Sequence, residues 1–251
     1  MSRRQLLLYL AWGGLVYAFA LLAMLPAAWL SERAEGLSGH RLELREASGS
    51  AWAGSGRLYA RAGAGSLIDL GAVRWSSSPA ALLRGKLGAD MTLNDAPKPI
   101  RVEVGPGSIA VRDLALEVPG TLVAALAPPL QVFAPQGRLT IQSDNLRIEG
   151  ETVLGLATVE WRDIRLARSS NLDLGSHVAR LRGAGSRVDI ELDTLGGPLR
   201  VAGAGSWSPR GGLALSGTAE PRANAAAGLV PFLRGVCPDF RAGRCIFQIK
   251  Y

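Results

Sequence analysis

Side chains that do chemistry are scarce in this chain. There are two histidines and two cysteines in 251 residues. Structural zinc takes four nitrogen or sulfur ligands and catalytic zinc three; His40 and His177 stand far apart, without a carboxylate cluster beside either. No serine, cysteine or acid pair falls into a nucleophile–base or paired-carboxylate pattern, so the sequence names no catalytic, cofactor-binding or metal residue and reads as a non-enzyme. Lysine is nearly absent, confined to Lys86, Lys98 and Lys250, so the net charge of +7 is carried by arginine. These arginines are dispersed, with none of the basic blocks that mark nucleic-acid contacts. Compositional bias is the first reading and a functional basic face the second. Nucleic acid is not expected as a partner.

One long hydrophobic run is present. After Ser2-Arg3-Arg4, residues 6–30 carry no charge and are mostly apolar. A helix needs ~20 such residues to span a bilayer, more than the ~7–15 of a secretory signal core. The run therefore reads as a retained anchor. Ala18-Phe19-Ala20 imitates a cleavage site, but cutting there would leave Leu21 to Leu30 as an apolar new terminus. Arg3 and Arg4 precede the run, and Glu32, Arg33 and Glu35 nearly cancel after it, which keeps residues 1–5 cytoplasmic. Residues 31–39 read as a polar connector, and 40–251 as the domain across the membrane.

That domain, of about 220 residues, is large enough to bury a core. Glycine, 31 residues, and proline, 14, punctuate short runs of period two. Arg41 to Arg45, Lys86 to Leu93, Ile100 to Val104, Ser108 to Val118, Arg138 to Gln142, Thr158 to Arg162, Val178 to Leu181, Val188 to Leu192, Leu199 to Ala202, Leu213 to Thr218 and Ile246 to Tyr251 all alternate. This predicts a mainly β fold: an antiparallel sheet with one apolar and one solvated face. Short helices are expected at Ser78 to Leu83, Gly120 to Leu126 and Ala223 to Leu233. Gly56-Arg57-Leu58 followed by Trp75 is echoed by Gly137-Arg138-Leu139 followed by Trp161, at a spacing of about 81 to 86 residues. A duplicated subdomain, 40–130 and 131–251, explains this; chance among Gly- and Leu-rich strands is the alternative. Gly-Ala-Gly-Ser, at Gly63, Gly183 and Gly203, reads as turns or bulges feeding strands. Trp52, Trp75, Trp161 and Trp207 read as sheet residues packed on the core.

Cys237 and Cys245 enclose the turn-rich Pro238-Asp239-Phe240-Arg241-Ala242-Gly243. A hairpin there brings the thiols together, and an oxidising compartment closes such a pair into a disulfide. It would pin a local hairpin.

Several placements in order resemble a known family. They are Leu25-Pro26-Ala27-Ala28-Trp29-Leu30 at the end of the anchor, Gly49 to Gly56, Val73-Arg74-Trp75 with Ser78 to Leu87, Leu195 to Gly203, and Ala225 to Leu233. Together they resemble the type II secretion system protein N family, and the resemblance runs nearly end to end. It implies a single-pass inner-membrane protein with a periplasmic β domain, an accessory to the machine that exports folded proteins across the outer membrane. Other secretion subunits, in the inner-membrane platform and in the periplasmic part of the secretin, are the implied partners. The Cys237–Cys245 hairpin departs from the family pattern. A second reading stays open: the sheet is similar in texture to lipid-transfer proteins of the AsmA type, whose open apolar grooves carry lipid, and alternation alone does not separate a closed barrel from such a groove.

Overall fold

Alternation becomes strand wherever glycine and short polar residues allow the chain to turn back on itself. The computed structural model describes residues 5, 9, 12–14, 17, 20–22, 24–61, 67–78, 85, 87–126, 128–223 and 225–250. Its strands are β1 (Leu42–Gly49), β2 (Ala53–Arg61), β3 (Leu67–Ser77), β4 (Leu87–Leu93), β5 (Ile100–Gly105), β6 (Ser108–Pro119), β7 (Pro135–Glu149), β8 (Thr152–Leu166), β9 (Leu172–Gly185), β10 (Val188–Gly196), β11 (Leu199–Ser208), β12 (Gly212–Pro221), β13 (Asp239–Arg241) and β14 (Arg244–Lys250). They form one sheet of 14 strands in the order β1 to β12, then β14 and β13, and each neighbouring pair is antiparallel. Among the described residues the order begins at β1 and ends at β13, so the sheet has two edges and does not close into a barrel.

The apolar face carries the core. One cluster gathers Leu166, Leu172, Leu199, Ala219 and Cys245 beneath Leu229 and Leu233. A second joins Ala60, Leu70, Val118 and Leu139, and a third joins Ala27, Val73 and Trp75. The opposite face carries ion pairs such as Arg57–Asp69 (2.9 Å), Arg101–Asp90 (3.2 Å), Arg112–Glu103 (3.3 Å) and Arg162–Glu160 (2.7 Å). Exposed pairs contribute only ~0–1 kcal/mol each, but they account for many of the dispersed arginines as partners of neighbouring acids.

Bulges bend the long strands. Register shifts fall at Gly137 in β7, beside Asp163 in β8 and between Thr194 and Gly196 in β10. Asp113 and Asp163 adopt φ of 54° and 53°, a left-handed conformation that aspartate tolerates better than most residues. Each extra residue increases local twist, and the sheet wraps its apolar face around the helices. Gly175 (φ 85°) and Gly197 (φ 104°) meet backbone to backbone between β9 and β10, where a Cβ on Gly197 would overlap the Gly175 Cα.

Several expectations change. The connector is helical: α1 (Ala27–Leu37) runs through it and packs its Ala27 against Val73 and Trp75. Residues 6–30 are not one continuous helix, because Met24 to Pro26 break it before α1 begins; proline lacks the N–H a helix interior needs and disfavours helical geometry in the residue before it. The expected anchor falls partly outside the described residues, and those described at 5, 9, 12–14, 17 and 20–22 are helical. Among the described residues no helix is long and apolar enough to cross a membrane. Residues 79–84, where a helix was expected, lie outside the described set, as do Gly63 to Ser66. The helix expected at Gly120 is α2 (Thr121–Leu126), followed by a 3-10 turn (Pro128–Phe133). The helix expected from Ala223 begins later, as α3 (Leu229–Val236), with Pro231 tolerated in its first turn.

The proposed subdomain boundary near 130 does not interrupt the sheet, since β6 and β7 pair from Ser108↔Glu149 to Pro119↔Arg138. The repeated tryptophans do take matching roles. Trp75 Nε1 donates to Ser50 O (3.2 Å) and Trp161 Nε1 to Gln136 O (3.3 Å), each reaching 25 residues back along the chain. Gly203 to Ser206 is not a turn but the middle of β11. Its glycines leave room for Leu215 on the adjacent β12 and for Phe247 on β14, one strand further. Trp207, expected in the core, is 39% exposed on an uncovered part of the apolar face.

Candidate functional site

The sheet's inward residues on β7 to β11 do not meet α2, the 3-10 turn and α3 everywhere. Between them lies a cavity of about 690 Å³, walled by Leu139, Val159, Trp161, Ala179 and Val201 from the strands and roofed by Phe133, Phe232 and Val236. Phe133 and Phe232 meet edge to face at 5.5 Å, and Leu229 and Leu233 seat α3 on the strands with exposures of 0% and 4%. Volume and lining fall within the range of small-molecule sites, ~300–1,000 Å³ and mostly apolar.

The polar groups at its wall are already engaged. Burial pushes the His177 imidazole below its ordinary pKa, the Leu174 carbonyl pulls the other way, and Arg222 adds a further downward push. Two contacts hold the ring: Nε2–H donates to Leu174 O (3.0 Å), and Nδ1 lies 3.1 Å from Thr194 Oγ1, whose hydroxyl donates to Val201 O (2.9 Å). Thr194 Oγ1 in turn accepts from Val201 N–H at 2.6 Å. Asp193 is paired with Arg180 at 4.0 Å, and its carboxylate accepts from Thr194 N–H at 2.7 Å. His177 is thus a structural crosslink of β9, β10 and β11.

A second hollow, of about 580 Å³, is polar and open, and Asp69, Asn94, Glu117 and Arg138 line it. Several of its groups are likewise used. Asn94 bridges Ala72 N–H and Leu70 O at 3.0 Å each, and Glu117 pairs with Arg138 at 3.3 Å. Near the sheet's first edge, Arg45 at 2.6 Å, aided by Arg61 at 3.0 Å, holds the Glu43 carboxyl below its ordinary pKa. Arg45 also stacks over Tyr59 at 5.6 Å. Among the described residues no group of three or more His, Cys, Asp or Glu could hold a metal ion.

Cys237 and Cys245 are bonded, with S–S 2.07 Å. The hairpin expected between them is β13–β14, turning at Ala242 (φ 49°) and Gly243 (φ 77°). The bond reaches beyond that hairpin. Cys237 is the C-cap of α3, while Cys245 is buried in the cluster with Leu199, Ala219 and Leu229, so the bridge fastens the cavity's roof to the sheet at β14. Neither the cavity nor the His177 crosslink carried a sequence signal, because both depend on what α3 and the bulges bring over the sheet.

Among the described residues two sheet edges lack a partner strand. β1 is the first strand of the order, and three-residue β13 covers β14 only from Arg244 to Ile246, leaving Phe247 to Lys250 with a neighbour on one side. No curated protein and no solved structure matches the chain. The family model for type II secretion system protein N matches residues 40–243, which takes in the whole sheet up to the β13–β14 turn. An envelope-secretion family, a sheet with open edges and polar groups spent on structure agree with one another, and the chain belongs to the type II secretion system protein N family.

Proposed function

We propose that this protein is a non-enzymatic accessory subunit of the type II secretion machinery, held in the inner membrane by residues 6–30 with its N-terminus cytoplasmic and its sheet in the periplasm. The observation that carries the reading is the open sheet with its two edges, in a member of a secretion family. An unpaired edge strand is a template for main-chain pairing with a partner, and the inner-membrane platform and the periplasmic part of the secretin are the partners in reach. The uncharged run, with Arg3 and Arg4 before it, supports the anchor; the break at Pro26 leaves about 20 residues for the span, still sufficient. Docking of α1 against β1 and β3, with Trp52 Nε1 donating to Leu22 O at 2.8 Å, ties the sheet directly to the end of that segment. The test replaces residues 1–21, which leaves α1 with Ala27 and the Leu22 carbonyl in place, by a cleavable export signal: secretion should fail although the domain accumulates folded in the periplasm. Normal secretion by that soluble form refutes the anchored role.

A further inference from the structure

We propose that the cavity beneath α3 binds a single fatty acyl chain, a property separate from the contacts that tie the protein to the secretion machine. The wall determines the class of occupant. Each of β7 to β11 has a hydrogen-bonded strand on both sides, and His177, Thr194 and Asp193 already have their partners. A peptide placed there would bury its N–H and C=O groups unpaired, which is costly, and a sugar or nucleotide would fare worse. A hydrocarbon chain asks for no partner and gains from every methylene buried.

The roof is built to stay in place. Leu229 and Leu233 lie in the core, and the Cys237–Cys245 bond fastens the end of α3 to β14, so the site exists before the ligand arrives, as ligand cavities usually do. The apolar face also continues past the roof toward the far ends of the strands. Leu181, Ile190 and Leu215 stand half-buried in one cross-sheet row, and Trp207 lies beyond them, paired with Val188 and exposed. A chain longer than the cavity can therefore run out along this face while its polar end stays in water.

The experiment uses the full chain in phospholipid nanodiscs, a diazirine-bearing analogue of palmitic acid as the probe, and peptide mapping of the labelled positions. Labels are expected on the segments holding Val159, Ala179 and Val201 and on α3, and a large excess of palmitic acid should lower them at least tenfold. Ala179→Phe and, independently, Val201→Phe fill the cavity and should each reduce these labels at least tenfold, leaving labels within residues 6–30 unchanged. Palmitic-acid competition needs no variant, so a misfolded substitution does not rescue the idea. Labels confined to residues 6–30, or cavity labels indifferent both to palmitic acid and to the two substitutions, overturn the proposal. Secretion is not part of the readout, so its loss or retention bears only on the accessory role.

Discussion

Truncating Leu229 to alanine tests whether α3 belongs to the core. This side chain is the fully buried anchor of an eight-residue helix, 0% exposed and packed with Leu166, Leu172, Leu199 and Leu233. Burial of a leucine contributes ~1.5–3 kcal/mol, and the cavity left behind raises the cost of Leu→Ala to ~2.7–5 kcal/mol. The helix cannot slide to fill the gap, since its C-cap is bonded through Cys237 to β14. At ~2–4 °C per kcal/mol for a domain of this size, the melting temperature of Leu229→Ala should fall by ~5–20 °C. Circular dichroism of the full chain in mild detergent reads this directly. If α3 merely rested on the surface, the loss would stay within ~0.5 kcal/mol, and a shift below ~2 °C refutes the reasoning.

Three further outcomes follow from local geometry. Reducing the Cys237–Cys245 bond should lower stability by ~2–3 kcal/mol through the short loop it closes, seen as a reductant-dependent shift in the urea midpoint; an unmoved midpoint counts against its role as a fastener. Gly197→Ala should cost ~2–3 kcal/mol, because φ there is 104° and a Cβ meets the Gly175 backbone. Gly235→Ala, in helical α3 with open space around its Cα, should instead stabilise by ~0.5–1 kcal/mol, and equal effects at the two sites would contradict this account. The third outcome concerns pH. His177 has a folded pKa below its unfolded value, so the unfolded chain takes up the proton first as pH falls, and stability should decline from about pH 6.5 down to the folded pKa and then level. Urea midpoints across this range, with His177→Gln losing part of the slope, check the sign.

Legibility in the sequence followed the physics of each element. Leu42 and Leu44 alternate with charges in β1, and the same period announced β4, β5, β6, β10 and β12, because a half-buried strand must write its two faces in turn. Gly-rich Ala53–Arg61 became β2 without such a signal, its glycines accommodating Leu44 and Trp75 across the sheet. Three-residue β13 is too short to show a period. Hydropathy could not see the break at Pro26, where the local preference of proline overrode an uninterrupted apolar run, or the continuation of helix through Ser31 to Leu37. The cysteine pair was legible from its turn-rich spacer, but its attachment of α3 to the core was not. Period two says that a face is apolar and is silent about what covers it. The cavity, its roof and the His177 crosslink all arise from that covering.

The central claim is that the sheet joins the secretion machine through its edges, and photocrosslinking in cells tests it most directly. A photoreactive residue is placed in turn along β1, along Phe247 to Lys250 of β14, and at Arg147 and Arg187 on the far hairpin ends, and captured proteins are identified by mass spectrometry. The account predicts platform or secretin subunits captured from edge positions and not from the hairpin ends. Capture of no secretion subunit from either edge, in cells where the machine is assembled and secreting, would contradict it.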